Sequence, residues 1–264
     1  MVDISTMNFF QRILYILQQY GTSYLKGAGT TLLIALVSTV IGCVIGFGVG
    51  IVQTIPIDAK RDSSGKRFAL KFFKIILKVY VEVFRGTPMI VQAVFIYYGM
   101  SQVFHIQLGM WAAAFLVVSV NTGAYMSESV RGGIISVDLG QMEGAKAIGM
   151  THFQAMLNVV LPQAFRNIIP QIGNNFIINI KDTSVLSVIS IVDLFFVHKS
   201  VSGALYTYFE SATIVMCIYL TMTLLASKLL NLWEKKLDGS DSYELVADHM
   251  DIGDQMRTIK AGKR

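Results

Sequence analysis

The chain has 264 residues, of which 53% are hydrophobic and 15% charged, with a formal net charge of +5. Soluble domains typically carry about 25% charged residues, so the composition excludes an ordinary water-soluble globule and favours a membrane protein. Two cysteines cannot frame a disulfide scaffold, and the basic excess reads as membrane orientation and anionic-lipid contact rather than nucleic-acid binding.

The first 25 residues contain Asp3 and Arg12 and lack a small-residue cleavage site, so they do not read as a cleaved signal. Phe10, Ile13, Leu14 and Leu17 share one helical face, which predicts an interfacial helix over residues 1–26. Gly27 to Ile57 then holds no Asp, Glu, Lys or Arg, more than the about 20 apolar residues that cross a bilayer as a helix. This is span one. Within it Gly42, Gly46 and Gly50 recur at intervals of four, a side-chain-free stripe that another helix can approach. Cys43 lies in this span and Cys217 in the last, where both read as small buried apolar residues.

Next, Arg67, Lys71, Lys74 and Lys78 form a basic stripe, while Phe68, Phe72, Ile75, Ile76 and Val79 fill the rest of the circumference. Such a helix lies on, or enters from, a headgroup layer. Gly86 to Ser127 again lacks the four charged types and fits two helices joined by a turn near His105, Gln107 and Gly109, which are spans two and three. Span four is the amide-rich run Phe165 to Ile180. Span five is Leu205 to Trp233, with Glu210 and Lys228 near its ends. Past Leu237, residues 237–264 form a polar tail. The expected fold is all-α: a polytopic membrane protein of about five transmembrane helices over residues 27–236.

Basic residues are retained in cytoplasmic loops. They collect between spans one and two (Lys60 to Arg85), around residues 131–166 and after span five, while the turn between spans two and three has none. The N-terminus is therefore expected outside and the C-terminus in the cytoplasm.

No G-x-x-x-x-G-K-[ST] phosphate loop, H-E-x-x-H, C-x-x-C or G-x-S-x-G occurs, and the four histidines are scattered. Catalysis and a metal site in this chain are unsupported. Without an internal duplication the chain does not contain both halves of an inverted-repeat transporter, so a pore needs a partner.

Residues 138–162 are different. Helix formers flank Gly149, and Pro162 is expected to end the second of two short helices bent there. The stretch is cytoplasmic by the charge rule yet carries Ile148, Met150, Phe153, Met156 and Leu157, an apolar surface in an aqueous place. A soluble partner is implied.

Glu143, Ala145, Gly149 and then Val159-Val160-Leu161-Pro162 resemble the EAA loop of ABC-importer permeases, with Gly144 and Val159 as small departures. Glu82 to Gln92 (EVFRGTPMIVQ), Ala124 to Ile134 (AYMSESVRGGI) and Lys181 to Ile189 (KDTSVLSVI) look like the polar amino-acid branch of that family, which takes in histidine, glutamine, arginine and opine permeases. The resemblance spans roughly Gly27 to Trp233. It implies a type I importer in a bacterial inner or plasma membrane: a cytoplasmic ABC ATPase dimer that binds ATP and Mg, a second permease (a copy or a relative), and an extracytoplasmic amino-acid-binding protein. The chain itself would be non-catalytic and hold no cofactor. Glu143, Gly144, Ala145, Gly149, Met150, Phe153, Leu161 and Pro162 are then the candidates for coupling to the ATPase, with Glu143 as a cap or salt-bridge partner.

The substrate-path candidates are polar residues inside spans, which are costly there and face a bundle interior or each other. Gln171, Asn175, Asn179 and Asp182 share one side of span four, and Asn121, Tyr125 and Glu128 one side of span three. Gln92 in span two and Lys181 join them. Amides with both charge signs suit a dipolar amino acid; the alternative is interhelical hydrogen bonding, worth about 1 kcal/mol per contact. Arg85, Thr87 and Pro88 read as structural. The rivals are a gradient-driven secondary transporter or channel that uses Lys181, Asp182 and Glu128 for ions, and an intramembrane enzyme, which lacks a nucleophile motif.

Overall fold

A computed structural model describes residues 6–57 and 63–238. Helix α1 (Phe9–Thr54) opens with a capping box in which Asn8 and Gln11 each accept from the other's backbone N–H. It then runs 46 residues without a break. At 1.5 Å per residue it spans about 70 Å, over twice the hydrocarbon thickness. The separate helix expected over residues 1–26 is thus, from Phe9, the first part of α1. No proline interrupts the stretch before Pro56, and Gly27 is held in register by the backbone of Asp193 and Leu194, 3.0 Å from where its Cβ would lie.

Helix α2 (Ser64–Gly86) and helix α3 (Met89–Phe104) meet at Thr87–Pro88 with a bend of 113°. Proline forces the residue before it out of the helical region, and Thr87 is extended. Helix α4 (Met110–Ile135) follows a turn in which His105 is left-handed. A Cβ on Gly42, Gly46 or Gly50 would lie within 2.7 Å of Thr122, Met126 or Val130 respectively, so the glycine stripe is where α4 presses on α1. Because the paired numbers rise together, α1 and α4 are parallel. The chain must return between them, and α2–α3 make that return.

Helix α5 (Leu139–Ala147) is capped by Asp138, whose carboxylate accepts from Gly140 N–H. Helix α6 (His152–Ala155) has a Thr151–Gln154 capping box. It does not stop at Pro162, as the sequence suggests, but continues through a wide π turn (Met156–Val160) into helix α7 (Leu161–Asp182). Leu161 N–H bonds Met156 C=O, five residues back, and this wider winding carries the chain past a residue with no N–H. Helix α7 runs antiparallel to α4, with Gly133 against Ile168, Met126 against Asn175 and Thr122 against Asn179. A 3-10 turn (Thr183–Ile189) leads to helix α8 (Leu194–Leu205), capped by Asp193, and then to helix α9 (Tyr208–Asp238).

Among the described residues α1, α4 and α9 are long and apolar enough to cross a membrane, and α2 with α3 pass together as one bent pair. Helix α7 has the length, but its amides make it less apolar. The chain up to Ser227 is one compact unit; from Lys228 the described chain is the end of α9. Three apolar clusters hold the first unit: Tyr24 and Leu194 with Ile214, Ala93 and Val117 with Leu186, and Met126 and Val130 with Ile168. Val44, Phe95 and Leu225 stay exposed, as residues that face lipid do. The tail beyond residue 238 lies outside the described residues.

Candidate functional sites: a polar cavity and an exposed bend

The bend between α2 and α3 is pinned from within. The Gln92 side-chain amide donates at 2.9 Å to the carbonyls of Phe84 and Thr87 and to Thr87 Oγ1, and its Oε1 accepts from Asn121 Nδ2 at 2.9 Å. Only 6% of Gln92 is exposed. Its hydrogen-bonding capacity is spent on shape, and it is not among the residues that line the cavity in front of the joint.

In front of this joint lies a cavity of about 280 Å³ lined by Thr87, Pro88, Met89, Asn121, Thr122, Tyr125, Asn175, Ile178, Asn179 and Asp182. Asn121, Tyr125, Asn175, Asn179 and Asp182, placed by helical spacing alone, thus meet at one cavity. Three are already engaged, Asn121 by Gln92 Oε1 and the Phe84 carbonyl. Asn179 Nδ2 donates to Thr39 Oγ1 (2.8 Å) and Thr122 Oγ1 (3.0 Å), fastening α7 to α1 and α4, and Asn175 Nδ2 donates to the Gln171 carbonyl (2.9 Å).

The other candidates fall elsewhere. Glu128 pairs with Arg131 at 2.9 Å and with Arg85 at 3.8 Å, on a neighbouring cavity of about 390 Å³ shared with Gln53, Lys74, Lys78 and Glu82. Lys181 lines a third, about 430 Å³, with Ser184, Phe195, His198 and Tyr208. Gln171 is exposed, one turn along α7 from Asn175. Sequence reasoning missed Thr39 and Thr122, since threonine in an apolar helix looks like filler until an amide faces it. Arg85, read as structural, lines the neighbouring cavity with Glu128 and holds its guanidinium carbon 5.5 Å from the centroid of the Tyr125 ring.

The second site is the turn between α5 and α6. Gly149 has φ +90°, Gly149 N–H bonds Lys146 C=O and Met150 N–H bonds Ala145 C=O, the doubled closure of a left-handed helix end. Around it Leu139, Ile148, Phe153 and Leu157 are 78, 76, 73 and 52% exposed. Glu143, Gly144 and Pro162 are exposed too, Ala145 is buried, and Leu161 and Met156 pack inward against the α4–α7 cluster. Met156 therefore leaves the apolar surface expected of it. Glu143 does not cap α5, because Asp138 does, and among the described residues it forms no ion pair.

The fold is thus a helical bundle with an apolar exterior, a polar cavity beside a bent helix and an exposed apolar turn. The chain belongs to the binding-protein-dependent transport system inner membrane component family, whose model matches residues 63–239. It is 33% identical over 217 residues to the arginine transport system permease protein ArtQ of Bacillus subtilis, covering 82% of this chain and 93% of that one. The nopaline transport system permease protein NocM of Agrobacterium fabrum is 35% identical over 219 residues, with 80% and 86% covered. The structure of an amino acid ABC transporter with histidines aligns at a TM-score of 0.75 and 34% identity, over 88% of this chain and 99% of that one. The inward-facing MetNI methionine ABC transporter, at 18% identity and a TM-score of 0.68 over 82% and 96%, shares the fold. The chain is a membrane-embedded permease subunit of an ABC importer with the type I transmembrane fold.

Proposed function

We propose that this subunit conducts a polar amino acid inward through the cavity between the α2–α3 bend, α4 and α7. The α5–α6 turn docks on a cytoplasmic ATPase dimer, which binds ATP and Mg and does the hydrolysis; this chain is not itself an enzyme. The permease pairs with a second permease and receives substrate from an extracytoplasmic amino-acid-binding protein. The end that carries the turn faces the cytoplasm, as does the C-terminus, and the N-terminus is outside. Support for this orientation comes from the basic residues that crowd that end, Lys74, Lys78 and Arg131 among them.

The observation that carries the reading is the exposed apolar turn: four large side chains around Gly149 held in the open by a rigid, doubly closed helix end. Such a surface marks an interface. For a motor to move the permease through it, docking must differ in free energy between inward-facing and outward-facing states, which a stiff lever allows and a floppy loop does not. A photo-reactive residue at Phe153 in the intact complex tests the contact. Adducts with the ATP-binding subunit are expected; adducts with lipid alone, or labelling from the outside of intact cells, would overturn the proposal.

A further inference from the structure

Gln53 near the end of α1 and Arg131 near the end of α4 line, together with α2, the charged cavity of about 390 Å³. Four cations surround it, Lys74, Lys78 and Arg85 on α2 and Arg131 on α4, against two carboxylates, Glu82 and Glu128. Two of the cations are committed. Lys74 Nζ donates to the carbonyls of Gln53 and Ile55 at 2.9 and 2.5 Å, and Arg131 donates to Glu128 through Nη2 at 2.9 Å and Nε at 3.4 Å. The other two are loosely held: Arg85 reaches Glu128 only at 3.8 Å, beyond hydrogen-bond range, and Lys78 forms no ion pair among the described residues. The cavity is therefore in positive excess and suits an anion.

Its place in the fold narrows the choice of anion. Helices α1 and α4 are both apolar enough to cross a membrane, so a cavity beside their last turns lies at a headgroup layer. The basic stripe of Arg67, Lys71, Lys74 and Lys78 runs along α2 to this cavity, and the flank beside the stripe is apolar and open, with Phe68, Ile75 and Val79 exposed to 74, 58 and 56%. A soluble phosphate gains nothing from that flank. A phospholipid does, because its acyl chains cover the flank while its phosphate meets the cations.

We propose that this cavity is a binding site for an anionic phospholipid, with Lys78 and Arg85 on its phosphate and the apolar flank of α2 along its acyl chains. The bound lipid then joins α2 to Arg131 on α4, across the seam that carries the bend at Thr87–Pro88. A leaflet at that end suffices, whichever side of the membrane it faces.

The test is lipid retention by the purified intact permease–ATPase complex, read by native mass spectrometry in detergent that carries equal amounts of phosphatidylglycerol and phosphatidylcholine. The wild-type complex is expected to retain phosphatidylglycerol in preference. Lys78→Gln should lower that retention about fivefold, the scale of one cation at a headgroup, while Lys78→Arg keeps it and Lys228→Gln, at an exposed lysine of α9, changes it by less than about twofold. Phosphatidylglycerol, and not phosphatidylcholine, should also raise the thermal unfolding midpoint of the wild type and not that of Lys78→Gln, since a ligand stabilises the state that binds it. Equal retention of the two lipids, or no greater loss in Lys78→Gln than in Lys228→Gln, would reduce the contact to general headgroup attraction and overturn the proposal. Displacement of the lipid by millimolar inorganic phosphate would overturn it in favour of a free anion.

Discussion

Asn121 on α4 donates through Nδ2 to Gln92 Oε1 on α3 at 2.9 Å, and both amides also bond the Phe84 carbonyl that ends α2. Two buried side chains thereby fix the angle at which the polypeptide turns beside the cavity. Replacing Gln92 with Leu strips the Thr87 carbonyl of its amide donor and leaves Asn121 with an unmatched N–H. Each buried group left without a partner costs about 1–3 kcal/mol. The variant should unfold several degrees below wild type, measured by thermal unfolding of the detergent-solubilised complex, and an unchanged midpoint would show that the joint is held by other contacts.

The α1–α4 seam gives a sharper contrast. At Gly46 any Cβ collides with Met126 on α4, whereas at Gly48, on the other side of the same helix, nothing lies within 4 Å. Gly46→Leu should abolish recovery of folded complex. Gly48→Ala should leave it unchanged or slightly raised, because alanine is the better helix former by about 1 kcal/mol. Yields by fluorescence-detected gel filtration decide it; equal recovery of both variants would refute close packing at the stripe.

Outside the membrane-spanning segments, the buried Asp193 carboxyl is pushed up to about 6 by desolvation, although Phe195 N–H, Phe196 N–H and Tyr219 OH donate to it. A raised carboxyl favours the fold when protonated. Its contribution is complete below the unfolded value near 3.8 and is lost as pH rises through about 6, a change of at most about 3 kcal/mol. Asn cannot titrate. The difference in unfolding midpoint between Asp193→Asn and wild type should therefore be more favourable to the variant at pH 7.5 than at pH 5, and a difference independent of pH would contradict the assignment.

Much of this was readable from residue order, and the failures have causes. Charge-free runs located most of α1 and the helices α3 and α4 but not α8, and the four-residue glycine interval marked the α1–α4 contact, because small residues at that spacing have few other uses in an apolar helix. Spacing also put Asn121 and Tyr125 on one face and Asn175, Asn179 and Asp182 on another, and the fold brings those faces to one cavity. Spacing reports a helix face, however, and cannot tell which neighbour covers it. Lys181, one residue from Asp182, is rotated about 100° around α7 and reaches another cavity, and Gln92 is consumed by backbone carbonyls invisible in sequence. Pro162 misled for a similar reason: a local rule ended a helix that a wide turn carries through.

The most direct test of the lever proposed at Gly149 is the ratio of uptake to ATP hydrolysis in vesicles containing this subunit, its ATPase and its binding protein. Gly149 has open space around it but a backbone at φ +90°, so Gly149→Val strains the turn by about 1–3 kcal/mol without meeting any neighbour, while Gly149→Asn tolerates left-handed backbone better. The account predicts that Gly149→Val inserts and assembles, still hydrolyses ATP, and loses most uptake per ATP, with Gly149→Asn close to wild type. Full uptake per ATP in Gly149→Val would contradict it.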